Sequence, residues 1–187
     1  MSKEQKLFEE YLAYHCAPAL KKYKLANMFH IPRTAIPCVD SLIREYNEKF
    51  SDKHKHLTFR ILQADKPRIT IYLYSFEILE NVLLDPEIRT FLEQYDYPIH
   101  SLSACLDHLD KRMEETDFPH EIGIFLGYPL SDVLGFINNE PCCCMGAWKV
   151  YSPKKAEYFK SLFKLFDHVR DQFIYAIENG VRIEQLV

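Results

Sequence analysis

Apolar residues recur along the chain at two periods, and the switches between them mark its elements. Leu7, Tyr11 and Tyr14 stand at helical spacing with Phe8 and Leu12 beside them, which predicts a first helix over residues 3–14. That helix is expected to end near His15-Cys16-Ala17-Pro18, because proline disfavours helix at the residue before it. Leu25, Asn27 and Phe29 alternate as in a strand. After Pro32 and Pro37, Val39, Leu42, Ile43, Tyr46 and Phe50 advance by three and four residues, the pattern of an amphipathic helix. The period then drops to two. Leu57, Phe59 and Ile61 alternate with Thr58 and Arg60, and Ile69, Ile71 and Leu73 alternate with Thr70, Tyr72 and Tyr74. With Asp65-Lys66-Pro67 as turn chemistry between them, Leu57 to Ala64 is predicted to pair antiparallel with Arg68 to Tyr74.

Helical patterning dominates from there on. Phe76, Leu79, Val82 and Leu83 form one apolar face, and Asp85-Pro86 supplies an N-cap and first-turn pair for a short helix through Leu92. Ser101 caps a helix whose buried face is Leu102, Cys105, Leu106, Leu109 and Met113. That spacing reads Cys105 as a small core residue. Between Phe118 and Tyr151 the order is helix, turn, helix, loop, strand. Gly127-Tyr128-Pro129 makes the turn, Ser131 caps a helix burying Val133, Phe136 and Ile137, and Trp148 to Tyr151 has strand composition. A long helix opens at Ser152-Pro153, carries Phe159, Phe163, Phe166, Val169, Phe173 and Ile177, and stops at Asn179-Gly180. The fold class expected is α+β: a single domain over residues 1–187, with a small antiparallel sheet that includes a 57–74 hairpin, several helices and a long C-terminal helix.

Composition sharpens this picture by exclusion. An apolar share of 48% and a charged share of 27% are those of a globular protein, and 187 residues suffice for a full core. A net charge of −4 lacks the basic footprint of a nucleic-acid binder. No apolar run approaches the roughly 18 residues that cross a bilayer, and the charged start lacks the apolar core of a signal peptide. A cytoplasmic location is therefore expected, where thiols stay reduced unless they bind metal or do redox work.

The central stretch stands apart chemically. Four of the five glycines, three of the six cysteines and the one tryptophan lie between Phe118 and Tyr151. His15-Cys16 and Cys142-Cys143-Cys144 are the candidate ligands, since thiolates are soft donors and imidazole suits zinc, copper and iron. The expected metal set is His15, Cys16, Cys142 and Cys144, holding a soft or borderline metal ion in preference to a haem or flavin partner. The plain alternative packs Cys16 in the core and leaves the triple cysteine as an exposed loop. His120-Glu121 is a candidate acid–base pair, with a turn-bracing histidine as its alternative. His54-Lys55-His56 has the look of a metal clamp in a charged surface segment. Lys149 and Tyr151 alternate with Trp148 and Val150, so one pair should face the core and the other solvent or a cleft. No phosphate loop, nucleophile elbow or zinc-protease helix is present.

His15-Cys16-Ala17-Pro18, Asn27-Met28-Phe29, Ile71-Tyr72-Leu73-Tyr74, the block from Phe118 to Tyr128, Asp132-Val133-Leu134-Gly135-Phe136-Ile137 and Trp148-Lys149-Val150-Tyr151 together resemble a bacterial family catalogued as domain of unknown function 3793. The resemblance covers nearly the whole chain. It implies a single-domain cytoplasmic protein with no assigned reaction, in a gene context that includes flavodoxins, so a flavodoxin-like redox protein is the expected partner. Relatives carry Cys-x-Cys with a basic centre where this chain has Cys142, Cys143 and Cys144. Three functions follow as expectations. The first is a thiol-containing accessory protein that binds a metal, a metal cofactor or a redox partner. The second is an enzyme using Cys16 or His120. The third is a docking module whose surface lies beside the Gly127-Tyr128-Pro129 turn.

Overall fold

The hydroxyl of Ser2 accepts from the Gln5 N–H at 3.1 Å, and the Gln5 side chain accepts from the Ser2 N–H at 2.9 Å. This reciprocal cap starts helix α1, Lys3–Leu20. The structure is a computed structural model that describes residues 2–53, 57–64, 66–116 and 118–187, with the side chains of 51–53 outside it. His54-Lys55-His56 therefore lies outside the described residues.

α1 does not stop before Pro18, as the sequence leads one to expect. Pro18 is inside its last turn, and Cys16, Ala17, Ala19 and Leu20 are buried with it. Burial of that apolar turn outweighs the hydrogen bond that proline cannot donate. The stop comes at Lys22, which adopts a left-handed φ of 60°. Its N–H donates to Ala19 at 2.9 Å, and the Tyr23 N–H donates to Pro18 at 2.9 Å, the paired bonds of a Schellman ending.

Strand β1 (Ala26–Pro32) follows, then helix α2 (Val39–Lys53), then the predicted hairpin of β2 (Leu57–Leu62) and β3 (Arg68–Ser75). β3 is the central strand of a three-stranded antiparallel sheet of order β1-β3-β2. Phe29 lies opposite Ile71 on one side, and Phe59 lies opposite Leu73 on the other. Those positions pack with Phe8, Leu12 and Cys16 of α1 and with Val39, Tyr46 and Phe50 of α2 in one apolar cluster. Each fully buried side chain of this kind stabilises the fold by about 1.5–3 kcal/mol.

The chain then turns helical: α3 (Phe76–Leu83), α4 (Pro86–Glu93), α5 (Leu102–Glu115), α6 (Ile122–Phe125) and α7 (Leu130–Ile137). Asp85 caps α4 by accepting from Glu87 at 2.8 Å, and Ser101 caps α5. In α3 it is Leu79 and Leu83 that are buried, whereas Phe76 is exposed. A two-stranded ribbon, β4 (Cys144–Met145) with β5 (Lys149–Val150), leads through a 3-10 turn at Pro153–Lys155 into α8 (Ala156–Glu178) and a last 3-10 turn at Ile183–Gln185. α8 ends at the expected Asn179-Gly180.

Two compact units emerge. One comprises Met1–Ile78 with His168–Val187, and the other Leu79–Asp167. Among the described residues no helix is long and apolar enough to cross a membrane.

Candidate functional site

The glycine-rich stretch owes its glycines to geometry. Gly127 has φ 77°, which closes α6. Its N–H donates to Ile124 at 3.0 Å, while the Tyr128 N–H donates to Gly123 at 2.8 Å. The chain thereby doubles back from α6 into α7. On α7, a Cβ at Gly135 would stand 2.5 Å from the Tyr151 ring carbon, so the absent side chain lets the segment after β5 pack flat against the helix.

Asp132 ties these parts together. It is the one charged residue of α7, and it is buried rather than facing water. One carboxylate oxygen accepts from the Trp148 indole N–H at 2.9 Å, and the other accepts from the Tyr151 backbone N–H at 2.9 Å. A buried carboxylate is tolerated only with such partners. Here the two bonds fix both ends of the segment that carries Lys149. Trp148 is further held by Tyr128, stacked at 4.9 Å, and by the rings of Phe159 and Phe163 in edge contacts at 5.2 and 4.7 Å.

These elements enclose a cavity of about 220 Å3 within the second unit. Ile122, Val133, Tyr128 and Trp148 form its inner wall, and Phe118 and Phe136 form its outer wall. Three charged or titratable side chains also line it: Asp132, which is buried in the wall, and His120 and Lys149, which are exposed and stand where it meets solvent. The Lys149 ammonium lies 5.1 Å over the Phe136 ring, and the His120 ring meets Phe136 edge-on at 5.0 Å.

The structure distributes the sequence candidates differently from any single-site reading. His120 and Glu121 part company: His120 turns to the cavity rim, while Glu121 is buried and accepts from Arg112 Nε at 2.8 Å and Tyr97 OH at 3.3 Å. The adjacent pair is thus a rim histidine and a structural carboxylate. Burial pushes the Tyr97 phenol well up, reinforced by the Glu121 charge.

Cys16 is fully buried, and burial pushes its thiol far above the usual range. His15 is stacked on Phe29 at 5.1 Å with 2° between the rings, and burial lowers its pKa. Cys142 and Cys143 are exposed, and Cys144 is half-buried. Their side chains diverge, since the Cys143 thiol donates to the Tyr151 carbonyl at 3.4 Å and that of Cys144 to the Ala156 carbonyl at 3.8 Å. His15 and Cys16 belong to the first unit and Cys142 to Cys144 to the second. Among the described residues no group of three or more His, Cys, Asp or Glu side chains is arranged to hold a metal ion.

Of the alternating quartet, Val150 is fully buried, Trp148 and Tyr151 are half-buried and Lys149 is exposed. Helical spacing places Phe136 in the core and gives Asp132 no role, whereas Phe136 is exposed and Asp132 is buried. A lone acid in the apolar run from Leu130 to Ile137 was the signal available for Asp132.

A family model described as protein of unknown function (DUF3793) matches residues 12–187. No curated protein and no solved structure matches the chain.

Proposed function

The chain belongs to the DUF3793 family of proteins of unknown function, and we propose that it works by binding, as an accessory protein that holds a small apolar ligand in the cavity of its second unit. The cavity itself carries this reading. A cavity of roughly 150 Å3 accepts benzene, and drug-sized ligands need about 300 Å3 or more. A volume of about 220 Å3 therefore suits one ring with a short substituent. Its wall is held in place before any ligand arrives, because Asp132 and the Tyr128 stack already fix Trp148. Preorganisation of that kind lowers the entropy cost of binding.

Phenol is a suitable first probe, read by the backbone amide spectrum of the labelled protein. Binding should shift amides of residues 118–149 and raise the melting temperature. A saturating titration that leaves those amides unmoved would sink the reading.

A second reading rests on the thiols. Exposure of Cys142 and Cys143 on the loop leading into β4, with Cys144 beside them, supports a thiol-bearing accessory protein that takes a soft metal ion or meets a flavodoxin-like redox protein. Metal content after anaerobic, chelator-free purification tests it. Bound metal that disappears in the Cys142→Ser, Cys144→Ser double variant supports the thiol reading, and equal metal in both proteins counts against it.

A further inference from the structure

We propose that the ligand of this cavity is a small aromatic or apolar carboxylate, its ring inside and its carboxylate on the Lys149 ammonium. The inference rests on the cavity being a binding site and adds the chemistry of what it takes.

Apart from Asp132, whose oxygens are already hydrogen-bonded, the interior is built from Gly123 and the apolar or aromatic Ile122, Val133, Tyr128 and Trp148, so the enclosed part of a ligand should be apolar. The polar groups of the site are unequal in what they have left to give. Asp132 already accepts one hydrogen bond on each oxygen, from Trp148 and Tyr151. Its oxygens are engaged in positioning the wall, although neither neutral donor cancels its charge. Lys149 makes no ion pair among the described residues, and its ammonium has only the Phe136 ring beneath it. A cation held over an aromatic face at the rim of an apolar cavity keeps its charge available to an anion. At the mouth it opposes a cationic ligand, whereas the Asp132 carboxylate in the wall favours one, so the aromatic-cage alternative is what a cationic probe tests.

One ammonium supplies one unit of charge. Among the described residues no glycine-rich nest and no arginine line the cavity, so a carboxylate fits where a phosphate dianion would be under-neutralised. His120, on the edge of the same Phe136 ring, places a second potential N–H donor at the rim for the other carboxylate oxygen.

Phenylacetate, its neutral counterpart phenylacetamide and its cationic counterpart phenethylamine share one ring and differ in head-group charge. With Trp148 emission and calorimetry as readouts, phenylacetate should bind about two- to fivefold more tightly than the amide, and the amine more weakly than either. Lys149→Met, an exposed substitution that should leave the melting temperature unchanged, should erase the difference between acid and amide. Lys149→Arg should restore it. Equal affinity for acid and amide in the unaltered protein overturns the carboxylate inference and leaves the cavity as a site for neutral rings. Failure of all three probes to bind overturns the binding reading as well.

Discussion

Glu9 and Arg182 form a 2.7 Å ion pair across 173 residues of sequence, with the glutamate fully buried. The same carboxylate accepts from the Tyr46 hydroxyl at 2.6 Å and from the Ile183 N–H at 3.2 Å. α1, α2 and the last 3-10 turn are thus joined at one acceptor. Although burial works against the Arg182 charge, the hydrogen bond to Glu9 helps hold its pKa above the ordinary value. Glu9→Ala leaves three donors without an acceptor, a change expected to cost about 3 kcal/mol. Arg182→Ala leaves Glu9 two of its donors and should cost less. Urea unfolding midpoints check the order, and equal costs would show that the guanidinium, rather than the shared carboxylate, is the keystone.

Thiol reactivity should separate into two classes. Cys38, Cys142 and Cys143 are exposed, whereas Cys16 and Cys105 are buried, with burial raising the Cys105 thiol to about 11 and that of Cys16 further. Since the thiolate is the nucleophile, iodoacetamide at neutral pH should label the exposed three first and the buried two only after unfolding. Peptide mass spectrometry reads the order. Early labelling of Cys16 would contradict the packing of α1.

Stability should fall at alkaline pH. In the unfolded chain thiols ionise near about 8.5 and phenols near about 10. In the folded protein burial holds Cys16, Cys105, Tyr46, Tyr72 and Tyr97 protonated beyond those values. The folded state then binds more protons than the unfolded one, so stability declines as pH rises. Lys24 acts in the opposite sense, because burial brings its ammonium down to about 8, and deprotonation above that value favours the folded state until the unfolded lysine also loses its proton. The expected melting profile is shallow from pH 8 to about 9.5 and steep above about 10. Lys24→Met should move the decline toward about pH 8.5, and an unchanged profile would remove Lys24 from the account.

Two helix endings predict opposite signs. Lys22 holds a left-handed conformation that disfavours a side chain, so Lys22→Gly should stabilise by roughly 0.5–1 kcal/mol. Gly127 holds a similar conformation with φ 77°, and Gly127→Val should destabilise by about 1–3 kcal/mol. Paired melting curves test both, and shifts of the same sign would mean that backbone conformation does not decide either position.

The elements that could be read in the sequence were those whose pattern is local. The hairpin announced itself because Phe59, Ile71 and Leu73 alternate with polar neighbours, and its pairing is as expected. Asp85 and Ser101 capped where their chemistry placed them. Pro18 misled because its effect on the preceding residue is local, whereas the burial of Cys16, Ala17 and Leu20 that overrides it is tertiary. Phe136 left its expected buried face, and Asp132 carried no expectation, for a related reason: helical spacing leaves phase undetermined at the edge of an apolar stripe, and the indole and amide that Asp132 accepts from lie 16 and 19 residues away. Ser131 falls inside α7, which starts after Pro129, so the expected cap is one of the helix's first residues instead. The cavity depends on several turns folding together, and no spacing rule reports that.

Residues 1–78 and 168–187 make one unit, with the other unit, 79–167, between them in sequence. Synthesis must respect that order. At about 5–20 residues per second, the 109 residues from 79 to 187 take roughly 5–20 s to follow residue 78 from the ribosome. For most of that interval Glu9 and Tyr46 have no Arg182, and the apolar cluster of α1 and the sheet lacks Val169, Phe173 and Ile177. The uninterrupted second unit can finish first. The first unit is an assembly of early and late chain, and its early part must stay free of other partners while it waits.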